Sequence, residues 1–397
     1  MARQVKLAIV GCGGIAGAHL RGWTEIHKHE PDLFEIVAVC DAFAPAAERM
    51  AEEIAKWQER KPAVYGDINE LLDGAKPDAV DICTPHYLHH VTAVAALERG
   101  VHVQVEKPSG LTIKASKRII EASRKSGAIA ATAEQIRRLP PKRVAHWLIH
   151  EKKAIGRPLQ VFSQLVRYSQ PAERNWAWRN ERMLSGGGWV LDSGAHFCDT
   201  MRYFFGDVES VYARVENLYD RPLNKNGLRV LEEQEDTFVA TFNFKSGVIG
   251  LWSNACSLPG NDFHQMAIYG SEGAIVEPGQ DVFHWPHDKA ELRRAGEEPK
   301  TMADLFETML QEIPEARRER WFPHGMHDGF ALECYDYAKA VQTGRQVEVE
   351  LEMGMKAKAM AMAIYESAVT GESVYVDDVL DGSLDAYEAP LNERWGI

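Results

Sequence analysis

No two cysteines in this sequence are spaced as CxxC, and the six present (Cys12, Cys40, Cys83, Cys198, Cys256, Cys334) are scattered along the chain. Several sit inside apolar runs, where cysteine acts as a small buried hydrophobe. A reducing compartment therefore fits better than a disulfide framework. Excess positive charge is missing too. Lys and Arg number 45 against 58 Asp and Glu, for a net charge of −13, so nothing draws the chain toward nucleic acid or an anionic membrane. Basic runs such as Arg317-Arg318-Glu319-Arg320 are broken by acids and read as a solvated face. Neither a signal-like segment nor an apolar span of about 20 residues follows Met1-Ala2-Arg3-Gln4, which reads as a cytoplasmic protein. Internal repeats and low-complexity tracts are absent as well.

What is present is the composition of a globular chain, 45% hydrophobic and 26% charged, and its 397 residues imply two domains. Over the first ~135 residues, short β-rich runs alternate with helical stretches, as in βαβ units. The runs are Val5–Val10, Glu35–Cys40, Ala79–Thr84, Val101–Val105 and Ala128–Thr132, with helices such as Val91–Arg99 and Ile113–Lys125 between them. Their unbroken apolar character predicts strands covered on both faces, hence a doubly wound parallel sheet over residues 1–135. Beyond Arg138-Leu139-Pro140-Pro141 the pattern changes. A helix near Lys142–Lys152 precedes strand-like runs at Gln160–Tyr168, Glu209–Glu216, Asp236–Phe244, Val248–Ala255 and Gln265–Tyr269, with a tight turn at Phe244-Lys245-Ser246-Gly247. This predicts an α+β domain over 136–397 with a large, mostly antiparallel open sheet. Residues 279–324 read as a charged excursion, a lid or contact arm, and helices near Phe330–Gln342 and Met353–Val369 close the chain.

Directly after the first strand stands Gly11-Cys12-Gly13-Gly14-Ile15-Ala16-Gly17-Ala18-His19, the G-x-G-x-x-A form of a dinucleotide fingerprint. Gly11 permits the tight turn, Gly13 leaves the backbone open to a pyrophosphate, and Ala16 keeps helix and strand close. The free N–H groups and dipole of the helix start then hold phosphates. The second strand ends at Cys40-Asp41, where a carboxylate accepts ribose hydroxyls and repels a 2′-phosphate, favouring NAD over NADP. Asp41 stands further along than the usual spacing of about 20 residues, which the polar stretch Glu25–Leu33 accounts for. The plainer reading of Asp41 is a cap for a helix over Ala42–Ala55.

At Thr84-Pro85-His86-Tyr87-Leu88-His89 and Val103-Gln104-Val105-Glu106-Lys107-Pro108 the chain resembles the glucose–fructose oxidoreductase / inositol dehydrogenase / MocA family. The resemblance continues through Arg138-Leu139-Pro140-Pro141, Ile155-Gly156-Arg157-Pro158 and Gly187-Gly188-Trp189-Val190-Leu191-Asp192-Ser193-Gly194-Ala195-His196-Phe197-Cys198-Asp199, nearly the whole chain. It implies oxidation or reduction of one carbinol of a sugar, inositol or related polyol, with Lys107, Asp192 and His196 as the working trio. Cofactor contacts map to Gly11, Gly13, Gly14, Ile15, Ala16, Asp41, Thr84, Pro85, His89, Glu106 and Lys107, with His19 also near the cofactor. Departures are Ala16, where many members have Gly, and the 279–324 excursion.

Residue chemistry supports the trio on its own terms. Lys107 follows a parallel strand at its carboxyl end, where open α/β sheets bind ligands, and an ammonium there stabilises alkoxide character as hydride leaves. Asp192, His196 and Asp199 share one helical face if a helix starts after Gly186–Gly188. Histidine titrates near neutrality and suits the proton that accompanies hydride. Trp176, Trp178 and Arg179, with Arg167 further back, offer aromatic faces and polar partners for a sugar ring. Carboxylates and histidine at such spacing also hold metals, and His284/His287, His324/His327 or His86/His89/His90 would extend such a site. They form no recognised ligand set, so no metal is expected. The rival functions are an NAD-dependent glycosidase or eliminase working through a transient keto-sugar, and a dinucleotide sensor without catalysis. The second sheet is too apolar on both faces for one to be freely solvated, which predicts a homodimer or homotetramer.

Overall fold

The computed structural model describes residues 3–168, 174–256, 258–260, 262–278 and 286–397. The chain divides into two compact units, one running through Arg138 and taking back Glu319–Met355 and Ile397, the other Leu139–Arg318 with Lys356–Gly396. The sequence placed everything after 135 in one domain, whereas the segment 319–355 packs with the N-terminal unit. Its helix Gly329–Thr343 lies along the helix Gly14–His29. There Gly22 lets the two backbones meet, since a Cβ would fall 2.8 Å from Phe330 and Ala331 main-chain atoms.

The first unit is a six-stranded parallel sheet of β1 (Val5–Val10), β2 (Phe34–Cys40), β3 (Ala63–Tyr65), β4 (Ala79–Ile82), β5 (His102–Glu106) and β6 (Ala130–Ala133), in the order β3-β2-β1-β4-β5-β6. Crossover helices cover both faces, which is why β1, β4 and β6 are buried almost end to end rather than alternating. Sequence reading missed β3, which is three residues long and too short to show a period.

The second unit holds a nine-stranded sheet, built from β7 (Pro158–Val166), β9 (Val208–Glu216), β12 (Thr237–Phe244), β13 (Ile249–Ala255), β14 (Phe263–Gly270), β15 (Ala274–Glu277), β16 (Glu291–Arg293), β17 (Lys300–Thr301) and β18 (Val374–Tyr375). A separate three-stranded ribbon joins β8 (Arg174–Asn175), β10 (Pro222–Lys225) and β11 (Leu228–Leu231). The large sheet runs β17-β16-β15-β14-β7-β13-β12-β9-β18, antiparallel throughout except where β7 meets β13. Gly247 makes the expected β12–β13 turn at φ +86°.

Strand β12 alternates cleanly, with Phe238, Ala240, Phe242 and Phe244 buried and Val239, Thr241 and Asn243 exposed. The aromatic face is covered by the helix Gly194–Phe205, where Phe197 stacks on Trp252 at 4.2 Å and Phe205 meets Phe244 edge-on at 5.4 Å. Such ring pairs add about 0.5–1.5 kcal/mol each to area burial. A side chain at Gly194 would lie 2.5 Å from the Trp252 ring, so glycine sets how close this helix sits.

The excursion is not a detached arm. Its described part adds β16 and β17 to the sheet edge, then forms a helix Met302–Glu312 that Thr301 caps and that packs on the helix Pro140–His150. Alternation over three- and two-residue strands is too brief to register in a sequence. Among the described residues, no helix is long and apolar enough to cross a membrane.

Candidate active site

In the first unit, β1 ends in the glycine turn. Gly11 has φ +89°, and a Cβ there would sit 2.7 Å from the Cys83 carbonyl group, so only glycine lets β1 and β4 approach at this point. Gly13 caps the helix Gly14–His29 with no side-chain bond, and a Cβ at Gly13 or Gly14 would meet nothing within 4 Å. The space beside the helix start is therefore open and no side chain caps it, a cradle that fits a dinucleotide pyrophosphate.

Asp41 lies just past β2 and already works for the turn. Its Oδ2 accepts the Cys12 N–H at 2.8 Å and its Oδ1 the Phe43 N–H at 2.8 Å. Each oxygen keeps a lone pair for a ribose hydroxyl. The following helix begins at Ala44, so Asp41 stands ahead of it and Phe43 is its cap residue.

Thr84 and Pro85 lead into the helix His86–Leu97, which starts earlier than the periodicity from Val91 predicts. His89 is buried on it, with Nε2 2.8 Å from the Thr84 carbonyl and Nδ1 2.9 Å from that of Pro108. Burial lowers its pKa. His89 thus ties the loop after β4 to the turn that carries Lys107, a joining role.

Beneath the cradle lies a buried polar cluster. His19 Nδ1 is 2.9 and 3.1 Å from the two Asp81 oxygens, and its Nε2 is 3.0 Å from Glu106 Oε1. Trp23 and Gln104 also donate to Asp81, at 2.8 and 3.2 Å. Burial opposes charge on the imidazole, but the Asp81 carboxylate outweighs it and holds the pKa well above 6.5. A doubly donating imidazolium thus clamps β4 to β5. Glu333 adds a third carboxyl 3.7 Å from His19 Nε2, with its own pKa raised well above the ordinary value by burial. Glu106, expected at the cofactor, is 3% exposed and bonded to His19, one residue before the half-buried Lys107.

In the second unit, the helix bearing His196 begins at Gly194, so Asp192 sits in the turn ahead of it and only His196 and Asp199 are helical. The glycine-rich segment stays irregular until Ser193 because other groups take its backbone bonds. Glu235, half-buried, accepts the Gly188 N–H at 3.1 Å, the Val190 N–H at 2.8 Å and the Tyr365 O–H at 2.9 Å. Tyr365 stacks on Tyr387 at 4.4 Å, and Gly188 O accepts the Asp192 N–H at 2.8 Å. Asp192 takes a hydrogen bond from Arg179 Nε at 3.0 Å, and that guanidinium lies 4.2 Å over the Trp178 ring. Trp178, Arg179 and Asp192 are therefore brought together. Trp176 instead lies under Lys225 at 4.2 Å on the small ribbon, and Arg167 closes β7 with its N–H on Ala255 O at 2.7 Å.

Sequence reading did not anticipate Asp81, Glu134, Glu235, Glu333 or Tyr365. The stretch Glu232-Glu233-Gln234-Glu235-Asp236 has the composition of a solvated run, yet Glu232 and Asp236 are buried, bonded to Arg221, Asn180 and the Leu218 and Tyr219 N–H groups. Only the burial of neighbours distant in sequence reveals this.

Among the described residues, donor atoms of His19, Glu333 and Cys334, and of His19, Asp81 and Cys83, fall within 4.8 Å of one another. Their chemistry does not fit a metal. Both His19 nitrogens are committed to carboxylates, and burial pushes the Cys83 thiol up to about 12, so it is no thiolate at neutral pH. Of the other histidines considered, His284 lies outside the described residues, His287 bonds Glu277 at 3.1 Å and His324 stacks on His29 at 5.3 Å.

Comparison with known proteins adds to this geometry. Residues 5–134 match a family described as "Oxidoreductase family, NAD-binding Rossmann fold", and residues 149–376 match its "C-terminal alpha/beta domain". The 1,5-anhydro-D-fructose reductase of Ensifer adhaerens is 29% identical over 255 residues, 63% of this chain and 72% of the reductase. The levoglucosan dehydrogenase of Pseudarthrobacter phenanthrenivorans is 26% identical over 333 residues, 79% and 83% of the two chains. A solved levoglucosan dehydrogenase in complex with NADH and L-sorbose has the same fold, with a TM-score of 0.77 at 23% identity over 94% of this chain and 99% of that one.

Proposed function

The chain belongs to the glucose–fructose oxidoreductase / inositol dehydrogenase / MocA family of NAD-binding oxidoreductases, and from that premise we propose that it interconverts a secondary carbinol and ketone of a sugar, inositol or related polyol. The observation that carries this reading is Lys107, at the carboxyl end of β5 in the unit whose glycine turn fits the dinucleotide. Bound NAD supplies a hydride acceptor, and NADH a donor. Lys107 then donates a hydrogen bond to the reacting oxygen and stabilises its alkoxide character. His196 takes the hydroxyl proton during oxidation and returns it during reduction. Asp192, aimed by Arg179, accepts a hydrogen bond from a neighbouring substrate hydroxyl, and Trp178 presents a face to sugar C–H groups. The reductase and dehydrogenase relatives act, by their names, on carbohydrates of this kind.

Screening sugars, inositols and glycosides with NAD, while following NADH and identifying products, tests the reading. A ketone formed in step with NADH is the expected result, and bond cleavage without net NADH would overturn net redox. His196→Ala is expected to lower turnover roughly 10²–10⁴-fold with NADH affinity retained, and near-normal turnover would remove His196 from the role given.

A further inference from the structure

Three glycines, Gly186, Gly187 and Gly188, lead into the turn that carries Asp192, and two tyrosines from near the end of the chain grip them. Gly186 ends the short helix Arg182–Ser185 at φ +81°. A Cβ at Gly187 would lie 2.5 Å from Tyr365 Oη, and one at Gly188 would lie 2.6 Å from Glu235 Oε2. The run is therefore glycine where the backbone needs a left-handed turn and where other groups come close. Tyr365 stands on the helix Leu351–Thr370, and its hydroxyl accepts the Gly188 N–H at 3.0 Å while donating to Glu235. Its ring lies nearly parallel to that of Tyr387, with 4.4 Å between centroids and 6° between planes. Tyr387 in turn donates its hydroxyl hydrogen to Gly186 O at 3.0 Å. Both tyrosines are buried.

Tyr387 is itself fastened on several sides. Buried Glu366 accepts the Tyr387 and Glu388 N–H groups at 3.0 and 3.4 Å. Arg182 donates to Tyr387 O at 2.7 Å and lays its guanidinium 4.0 Å over the Tyr387 ring. Trp395, on the helix Ala389–Trp395, donates to Met183 O at 2.6 Å. Beyond the glycines, Gly188 O accepts the Asp192 N–H at 2.8 Å, and the Asp192 carboxylate is bonded to Arg179. Bonds and ring contacts thus run without a break from Tyr387 to Asp192. We infer that Tyr387 is a positioning residue, fixing through Gly186 and the Tyr365 ring the turn whose far end places Asp192. Glycine gives the backbone the most freedom of any residue, so a run of three cannot set that place by itself. A carboxylate that is to meet a substrate hydroxyl must be held within a fraction of an ångström, and the tyrosine pair supplies the restraint. The consequence for turnover rests on the role proposed for Asp192; the grip on the turn does not.

The test uses two readouts on the full-length protein: hydrogen–deuterium exchange followed by mass spectrometry, and kcat and KM on the substrate found by the screen. In Tyr387→Ala, amides of the turn 186–194 are expected to exchange roughly tenfold faster, while those of β12 keep their rates. Tyr387→Phe keeps the ring stack and loses only the bond to Gly186 O, so its turn should exchange at a rate between the two. In Tyr387→Ala, kcat/KM should fall roughly tenfold with NADH affinity retained, and Tyr387→Phe should recover part of it. Unchanged exchange of the turn overturns the inference, and so does an equal rise in β12, which would mean general loosening. If Tyr387→Ala does not fold, Tyr387→Phe decides by the same two results. Asp192→Ala separates this inference from the scheme it rests on. Where that variant is damaged but a loosened turn in Tyr387→Ala leaves kcat/KM intact, Tyr387 does not position Asp192. Where Asp192→Ala is harmless, the role of Asp192 falls, and faster exchange of the turn still upholds the grip.

Discussion

Asp41 carries two tasks at once. Its carboxylate holds the Cys12 and Phe43 amides, and the role we propose for it is to accept the ribose hydroxyls as well. Asp41→Ser should therefore narrow the preference for NAD over NADP, because the repulsion of a 2′-phosphate goes. It should also weaken both cofactors, because the glycine turn loses a brace. Binding titrations with both dinucleotides check this, and an unaltered NAD/NADP ratio in the variant would reject the ribose role. Glu333 presents the reverse situation, a carboxyl whose charge the fold resists. Burial raises its folded pKa well above 4.5 and outweighs the pull of His19, and neither oxygen has a hydrogen-bond partner. Below 4.5 the group is neutral in both folded and unfolded chains and has no effect on stability. As pH rises from there, the unfolded chain sheds its proton first, so stability falls until the folded pKa is passed. Glu333→Gln removes that dependence. Its melting temperature should match the parent near pH 4 and exceed it by a few degrees near pH 8, at about 2–4 °C per kcal/mol. A gap that does not widen with pH would show Glu333 ionised in the fold.

At the scale of elements, the segment from Gly186 to Ser193 stays irregular because Glu235 collects its amides. Glu235→Ala would orphan the Val190 N–H and the Tyr365 hydroxyl hydrogen and leave the Gly188 N–H only its bond to Tyr365 Oη at 3.0 Å, at about 1–3 kcal/mol for each group left unpaired. We expect a clearly lower melting temperature and a loss of turnover with NADH affinity retained, since the cradle belongs to the other unit. An unchanged melting profile would show the clamp to be redundant. Legibility at this scale followed length. Long strands such as β1, β12 and β13 were readable from apolar runs or alternation, whereas β3, β16 and β17, of two or three residues, carry no period. The helix after the glycine run was placed too early because spacing cannot show which amides a distant carboxylate will take.

For the whole molecule, the nine-stranded sheet has one face under the helix Gly194–Phe205 and another that presents Tyr212, Val239 and Ile249, each about half exposed. The phenylalanines of β12 turned out to belong to the covered face, so the open face is less apolar than the sequence suggested, with Thr241 and Asn243 among the hydrophobics. The described part of the excursion extends the sheet sideways, and these residues are exposed. A second copy on this face, related by a two-fold axis, would cover them. We expect light scattering to give a dimer or dimer of dimers at micromolar concentration, and Val239→Lys with Ile249→Lys to dissociate it. A monomer mass for the unaltered chain would reject this interface.

The sequence alone determined what depends on neighbours a few residues apart. The turn is legible because a positive φ and the close approach of β4 demand glycine at Gly11, while glycine at Gly13 leaves the helix start open to a phosphate. The parallel sheet is legible because strands covered on both faces must be apolar throughout. Only tertiary structure decided the fate of single charged side chains. His19 meets Asp81, Glu106 and Glu333, and Glu235 meets Gly188 and Tyr365, across separations of 47 to 314 residues. A carboxylate reads the same in a sequence whether water or a buried amide solvates it. The difference is made when the fold removes the water, and from then on each such group must find a partner or lose its charge.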